Sequence, residues 1–238
     1  YFIQDDESRF RFPDGTAYFS AEDVRKTYEL IPNRVTNSLW VQKMVEQAGF
    51  SSEMIPVGVD PLMFHPAPVL REPFTVATRT RPSTPRRGDE LLKDLARQLR
   101  GHGIRLLAYG EEPKSKDRNF MKWEGLLPQA RVADVMRRAH VFIDTSPYQG
   151  FGLPGLEAMA CGCVLITRPN RGIDSYGRDG DNCMIRGTVE DFLATILDVK
   201  ERWAEFATMR QNARGTAEIL SWEQAAGAWR TFLEKIRA

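Results

Sequence analysis

The chain has 238 residues, 42% of them hydrophobic and 27% charged, with a formal net charge of +1. That is the profile of a soluble globular protein with a real core, built as one large domain or two small ones. It excludes a global field for nucleic acid or a membrane surface, and the longest apolar runs are far too short to span a bilayer. Only "RTRPSTPRR" (79–87) is locally basic. Cys161, Cys163 and Cys183 are too few, and odd in number, for a disulfide scaffold; they suit a reducing cytoplasm. The C-x-C pair has no second pair and no nearby His, so it reads as two small buried residues rather than zinc ligands.

The chain opens on "YFIQDDE", without a Met or a signal peptide, and a strand-like run at residue 1 is expected to continue something that precedes it. Residues 1–15 read as a short strand and a loop. Residues 20–30 read as a helix, with Ser20 as N-cap and Asp23 three residues on, close to a capping box. "NRVTNS" is a second short strand. Ser38 opens the helix "LWVQKMVEQAG", with Gly49 as its C-cap. "SSEMIPVGVDPLMFHPAP" is Pro-rich, lacks a helical period, and reads as a linker between domains.

The pattern then changes. "FTVAT" (74–78), "IRLLAYG" (104–110), "AHVFIDTS" (139–146) and "CVLIT" (163–167) are apolar runs without alternation, as in strands buried on both faces. Helical stretches at 88–101, 131–138 and 153–161 separate them. Strands alternating with helices predict an α/β fold with a parallel sheet. From about Thr188 to Ala238 the chain reads as nearly all helix.

Within "QGFGLPGLEAMACG" (149–162), Gly150, Gly152 and Gly155 spell G-x-G-x-x-G, with a strand before and a helix after. The glycines let the backbone turn sharply and approach a phosphate, which the helix N-terminus then holds. Pro154 suits the first helical turn, where its missing N–H is not needed. A dinucleotide is one reading, and Arg168 after the next strand would suit a 2′-phosphate; a glycine-rich turn without ligand is another. Two features weigh against the dinucleotide. The motif follows at least two earlier strands of its domain, and the next strand ends on Thr167 and Arg168 instead of the acid that holds ribose hydroxyls. Glu157, early in the helix, instead offers a carboxylate for a sugar hydroxyl pair beside an anion on the loop. That is the grip a nucleoside diphosphate needs.

These pieces together resemble the retaining glycosyltransferases of family four, which have the GT-B fold. "VFIDTSPYQGFGLPGLEAMACGCVLIT" is similar to their signature "S…EGFGLP…EAMACG.PVI". "IPVGVDPLMFHP" (55–66) resembles their interdomain segment, and "KWEGLLPQARVADVMRRAHVFIDTS" and "RDGDNCMI" resemble later motifs in the same order. The opening "YFIQDDE…FPDG" is most similar to bacterial rhamnan and O-antigen rhamnosyltransferases.

The resemblance implies two Rossmann-like domains facing a cleft. Residues 1–60 would be the C-terminal part of the N-terminal, acceptor-side domain. Residues 61–73 would be the linker, 74–215 the donor-binding domain, and 216–238 a C-terminal helix crossing back. Most of the acceptor-binding half would then lie outside this chain. Glu157 would hold the ribose of the donor. Gln149 stands where the family signature has its first Glu, which removes a negative charge beside the transferred sugar. The backbone of Gly150, Phe151, Gly152 and Leu153 would face the sugar and distal phosphate. Arg81 and Arg87 would neutralise the diphosphate, with Arg79 and Arg86 as the neighbours most easily confused with them. Trp123, Gly125 and Leu126 would lie against the nucleobase.

The resemblance implies no cofactor and no metal, since the donor is itself a substrate; "QDDE" (4–7) is expected on the wrong domain for its phosphates. Partners would be a nucleotide-sugar donor and a glycan or lipid-linked acceptor, in the cytoplasm or peripherally at the inner face of the membrane, and no nucleic acid. The rival readings are a sugar-nucleotide-binding half inactive without its missing domain, and a GT-B epimerase, against which "GFGLP…EAMACG" argues. Trp40, Trp203, Trp222 and Trp229 are expected to pack, and the three histidines have no assigned role.

Overall fold

The computed structural model describes residues 1–12, 14–67, 73–114 and 116–237; positions 68–72 of the expected linker lie outside the described residues. Two parallel sheets form. The smaller has the order β1 (Phe2–Ile3), β2 (Val35–Thr36), β3 (Glu53–Met54). The larger is built from β4 (Thr75–Thr80), β5 (Arg105–Gly110), β6 (Lys122–Trp123), β7 (Val141–Asp144), β8 (Val164–Thr167) and β9 (Met184–Ile185), in the order β6-β5-β4-β7-β8-β9. Parallel neighbours need crossover connections, and helices supply them. α1 (Ala21–Leu30) and α2 (Leu39–Gln47) belong to the small lobe. α3 (Asp89–Gly101), α4 (Gln129–Arg138), α5 (Leu153–Ala160), α6 (Val189–Glu201) and α7 (Ala207–Ile219) flank the large sheet, and α8 (Trp222–Arg237) ends the chain.

The unalternating apolar runs have the physical cause expected of them. Successive residues of a strand point to opposite faces, so a doubly covered sheet needs apolar residues at every position. Ala77, Leu107, Phe142 and Leu165 pack with Met136, Leu156 and Met159 on one face. Val76, Leu106, Val141, Ile143, Val164 and Ile166 pack with Leu95, Leu99, Phe192 and Ile196 on the other. Cys161, Cys163 and Cys183 are buried in the first of these clusters. The Ser20–Asp23 capping box is complete, and Gly49 after α2 has a positive φ of 91°.

The segment expected as a linker from residue 51 differs. Glu53–Met54 is a strand, and Ile55, Val59 and Phe64 are buried. The Val59 amide donates to the Leu220 carbonyl at 2.9 Å, and the Trp222 amide donates to the Val59 carbonyl at 3.0 Å. A Cβ on Gly58 would lie 2.4 Å from the Ser221 backbone, so this crossing requires glycine. α8 then reaches the small lobe. Trp229 and Phe232 pack with Phe2, Val35 and Ile55, and Lys235 pairs with Glu53 at 3.2 Å. Trp203 packs beside His140, whereas Trp222 is 49% exposed and so is not the packing residue expected. Among the described residues no helix is long and apolar enough to cross a membrane.

Candidate functional site

The strand order reverses between β4 and β7: from β4 the sheet first grows toward β5 and β6, and then restarts on the other side at β7. Crossovers leave in opposite directions at such a point and open a crevice beyond the strands' carboxyl ends, where open α/β sheets bind ligands. A cavity of about 410 Å³ lies there. Its walls are Arg79 near the end of β4, Arg81, Arg86 and Arg87 after it, Phe142 to Asp144 of β7, the loop Gln149 to Pro154, and Gln4, Asp5, Glu7, Phe10 and Asn37 from the small lobe.

Each glycine of the loop has its own reason. An added Cβ on Gly150 would sit 1.7 Å from the Gln4 carbonyl oxygen, so this glycine lets the two lobes touch. Gly152 has φ 93° and caps α5 without a side-chain hydrogen bond, and the first turn of that helix, Leu153 and Pro154, faces the cavity with it. Gly155 packs against Leu165 and Tyr176, whose hydroxyl donates to the Gly152 carbonyl at 2.7 Å. The loop is also held from outside. The Trp40 indole donates to the carbonyls of Gln149 and Gly150, both at 2.8 Å, and the Gln149 amide donates to the Asn170 carbonyl at 2.8 Å. That same carbonyl accepts the Gly172 amide, closing a γ-turn around Arg171 with φ 69°, a strained conformation for a non-glycine residue.

The four arginines are not equivalent. Arg86 is bound across the cleft to Asp5 at 2.5 Å and lies over the Phe10 ring at 4.1 Å. Asp5 of "QDDE", expected on the wrong domain for the donor phosphates, thus reaches the arginine loop. Arg81 pairs with Glu111 at 3.4 Å and is 39% exposed. Arg87 is half-buried and has no carboxylate within 4.0 Å among the described residues. Its carbonyl accepts from the Thr145 hydroxyl at 3.2 Å, and the next residue, Gly88, is so close to the Thr145 carbonyl that a Cβ would come within 1.8 Å. Burial first, and then the Arg86 charge, pull the Arg87 pKa down to about 10, while Asp144 pushes it back up. Arg87 stays charged at neutral pH, and an anion in the cleft would relieve the crowding of positive charge.

Arg81, Arg87, Gln149, Gly150, Phe151, Gly152 and Leu153 are brought together around the cavity. Glu157 is not among its lining residues. It is buried, and that burial raises its carboxyl to about 7, against the Gln129 hydrogen bond and the charge of the cleft residue Arg79, which both lower it. Trp123, Gly125 and Leu126 do not line the cavity either. The Trp123 indole donates to the Gly110 carbonyl at 3.2 Å, the Gly110 amide to the Gly125 carbonyl at 2.9 Å, and Leu126 is 79% exposed. Sequence reasoning missed Asp144, Asp5, Asn37 and Trp40. Asp144 alone carried a usable signal, as an acid closing a buried strand at the carboxyl edge of the sheet.

A model of the family described as glycosyl transferases group 1 matches residues 76–201, just over half of the 238 residues. The O-antigen biosynthesis protein RfbC of Myxococcus xanthus is 30% identical over 233 residues, covering 94% of this chain and 18% of that protein. The O-antigen chain mannosyltransferase B of Escherichia coli is 31% identical over 108 residues, or 44% of this chain and 27% of that protein. The chain thus spans less than a third of the length of these curated relatives. Sucrose-phosphate synthase from Thermosynechococcus elongatus is similar with a TM-score of 0.84 at 17% identity, over 99% of this chain and 67% of that one. The crystal structure of Anabaena HepE in complex with UDP and glucose is similar with a TM-score of 0.83 at 19% identity, over 99% of this chain and 71% of that one. These likenesses show the fold, a GT-B arrangement of parallel α/β sheets. By the family model's match, the chain belongs to the glycosyl transferases of group 1.

Proposed function

We propose that the protein transfers a sugar from a nucleoside-diphosphate sugar to a hydroxyl of a glycan or lipid-linked acceptor, with retained anomeric configuration and no metal, in bacterial surface polysaccharide synthesis. The observation that carries this reading is Arg87, charged, half-buried and without a carboxylate partner within 4.0 Å among the described residues, in one cavity with the glycine loop that opens α5. The diphosphate sits on the loop amides with Arg81 and Arg87 beside it, and Glu157 serves the ribose. Trp123, Gly125 and Leu126 remain the nucleobase side of the proposal. Residues 1–60 act as the acceptor-side portion, 74–215 as the donor domain and 216–238 as the returning helix.

In the reaction the bond from the anomeric carbon to the diphosphate oxygen breaks, and its electron pair leaves with the diphosphate. The acceptor hydroxyl oxygen bonds to that carbon, and its proton leaves with the diphosphate. Negative charge grows on the leaving group, where preorganised cations and amides stabilise it. The relatives' names support the polysaccharide setting: one is an O-antigen biosynthesis protein and another an O-antigen chain mannosyltransferase. The short span of those relatives favours one second reading, a donor-binding half that needs further protein to turn over.

A thermal-shift screen against UDP, GDP and dTDP sugars and NAD(P) tests the proposal. Stabilisation by one sugar nucleotide is expected; stabilisation by NAD(P) alone overturns it. Binding without turnover would favour the second reading.

A further inference from the structure

Asp144 closes β7 at the cavity and is the one carboxylate that the large lobe contributes to its lining among the described residues. The cavity's other acids, Asp5 and Glu7, come from the small lobe, and Asp5 is engaged by Arg86 at 2.5 Å. Asp144 has no cation within 4.0 Å among the described residues. Its Oδ1 accepts the Ser146 amide at 3.0 Å, and its Oδ2 accepts from Nε2 of Gln149. Gln149 is itself fixed at both backbone groups, by Asn170 and Trp40, and its Oε1 lies beside the glycine turn, 3.8 Å from where a Cβ of Gly152 would be.

This pair has a ligand preference that its surroundings do not share. A carboxylate repels phosphate, so Asp144 is misplaced for the diphosphate that the arginines suit. An ionised carboxylate offers about four acceptor positions, and Asp144 spends two of them within the protein. Paired with an amide that both donates and accepts, it matches a neutral group rich in hydroxyls. Its charge also favours positive charge developing at a nearby carbon. Gln149 is neutral where the resemblance implies a carboxylate, and the residue it touches is charged. The negative charge has moved by one side chain.

We propose that Asp144 and Gln149 act as one hydroxyl-recognition unit for the transferred sugar, with Asp144 carrying the charge. The inference rests on the proposed donor site, and the test separates the two. For whichever of UDP, GDP and dTDP binds, titration calorimetry gives the affinity of the free diphosphate and of its hexose conjugates. Their ratio isolates what the sugar contributes. Asp144→Asn, which keeps an Oδ1 acceptor for the Ser146 amide, is expected to lower that ratio about ten- to hundredfold, the worth of one hydrogen bond to a charged group. Affinity for the free diphosphate should hold or rise. Asp144→Asn combined with Gln149→Glu, which returns the charge to the neighbouring side chain, is expected to regain most of the ratio. A merely structural lesion would not be repaired by a second change. An unchanged ratio in Asp144→Asn, a wild-type ratio near one, or a double variant no better than the single one overturns the inference and leaves the donor site standing. No binding of any diphosphate by the wild-type protein removes both.

Discussion

Glu157 offers a test of the site through stability alone. Burial raises its carboxyl from the ordinary 4.5 to about 7, so the folded protein holds a proton that the unfolded chain has released throughout that window. The contribution of Glu157 to stability therefore falls as pH rises from 4.5 to 7, by about 1.4 kcal/mol per pH unit, and is constant above it. The accumulated cost at pH 8 is on the order of 3 kcal/mol. Glu157→Gln keeps the shape and the Gln129 hydrogen-bonding partner but never ionises. It should match the wild type at pH 4.5 and exceed it by on the order of 3 kcal/mol at pH 8. Urea unfolding followed by tryptophan fluorescence at pH 4.5, 6 and 8 measures both proteins. The same variant should bind the donor nucleotide more weakly, because a carboxylate retained at this cost is expected to serve a ligand. A stability difference that does not change between pH 4.5 and pH 8 would refute the reasoning.

Gly150→Ala places a methyl group where the Gln4 carbonyl oxygen stands. It should part the lobes and cut nucleotide-sugar affinity at least tenfold, read by calorimetry, while helix content by circular dichroism stays unchanged. Trp40→Phe removes a single indole N–H that two loop carbonyls share. It should lower stability by about 1 kcal/mol in urea unfolding and speed hydrogen exchange in the 149–152 loop. Arg171→Gly relieves a positive φ at the turn behind that loop. Set against the extra freedom of glycine in the unfolded chain, a net gain of about 0.5–1 kcal/mol is expected by the same method.

The large sheet was legible because both of its faces are covered. "VLIT" and "VFID" leave no position for a polar residue until the strand ends, so their strands stand out from any helix or loop. β3, β6 and β9 have two residues each, and no periodicity exists over two residues. The glycine loop was legible for a related reason: a sharp turn onto a helix N-terminus leaves glycines at fixed spacing. Nothing local distinguishes Arg87 from Arg86. What separates them is Asp5, 81 positions away from Arg86, which occupies one and leaves the other. Trp40 read as a core residue because its ring does pack with the small lobe; its indole N–H acts on a loop more than 100 positions later. Such pairings between distant segments arise only once both lobes have folded, so no spacing rule in the chain reports them. Asp144 and Gln149 are five positions apart, yet their contact depends on the turn between them and was equally invisible.

The central claim is that arginines of this cleft stabilise a departing diphosphate. Its most direct test is the rate of sugar transfer from the nucleotide sugar that the protein binds, compared among wild type, Arg81→Ala and Arg87→Ala. Each loss should cost about 2–4 kcal/mol in kcat/KM, by analogy with removal of an oxyanion donor. Arg87 is expected at the upper end, because Arg81 is already paired with Glu111 and more exposed. Transfer at the wild-type rate in both variants would contradict the account.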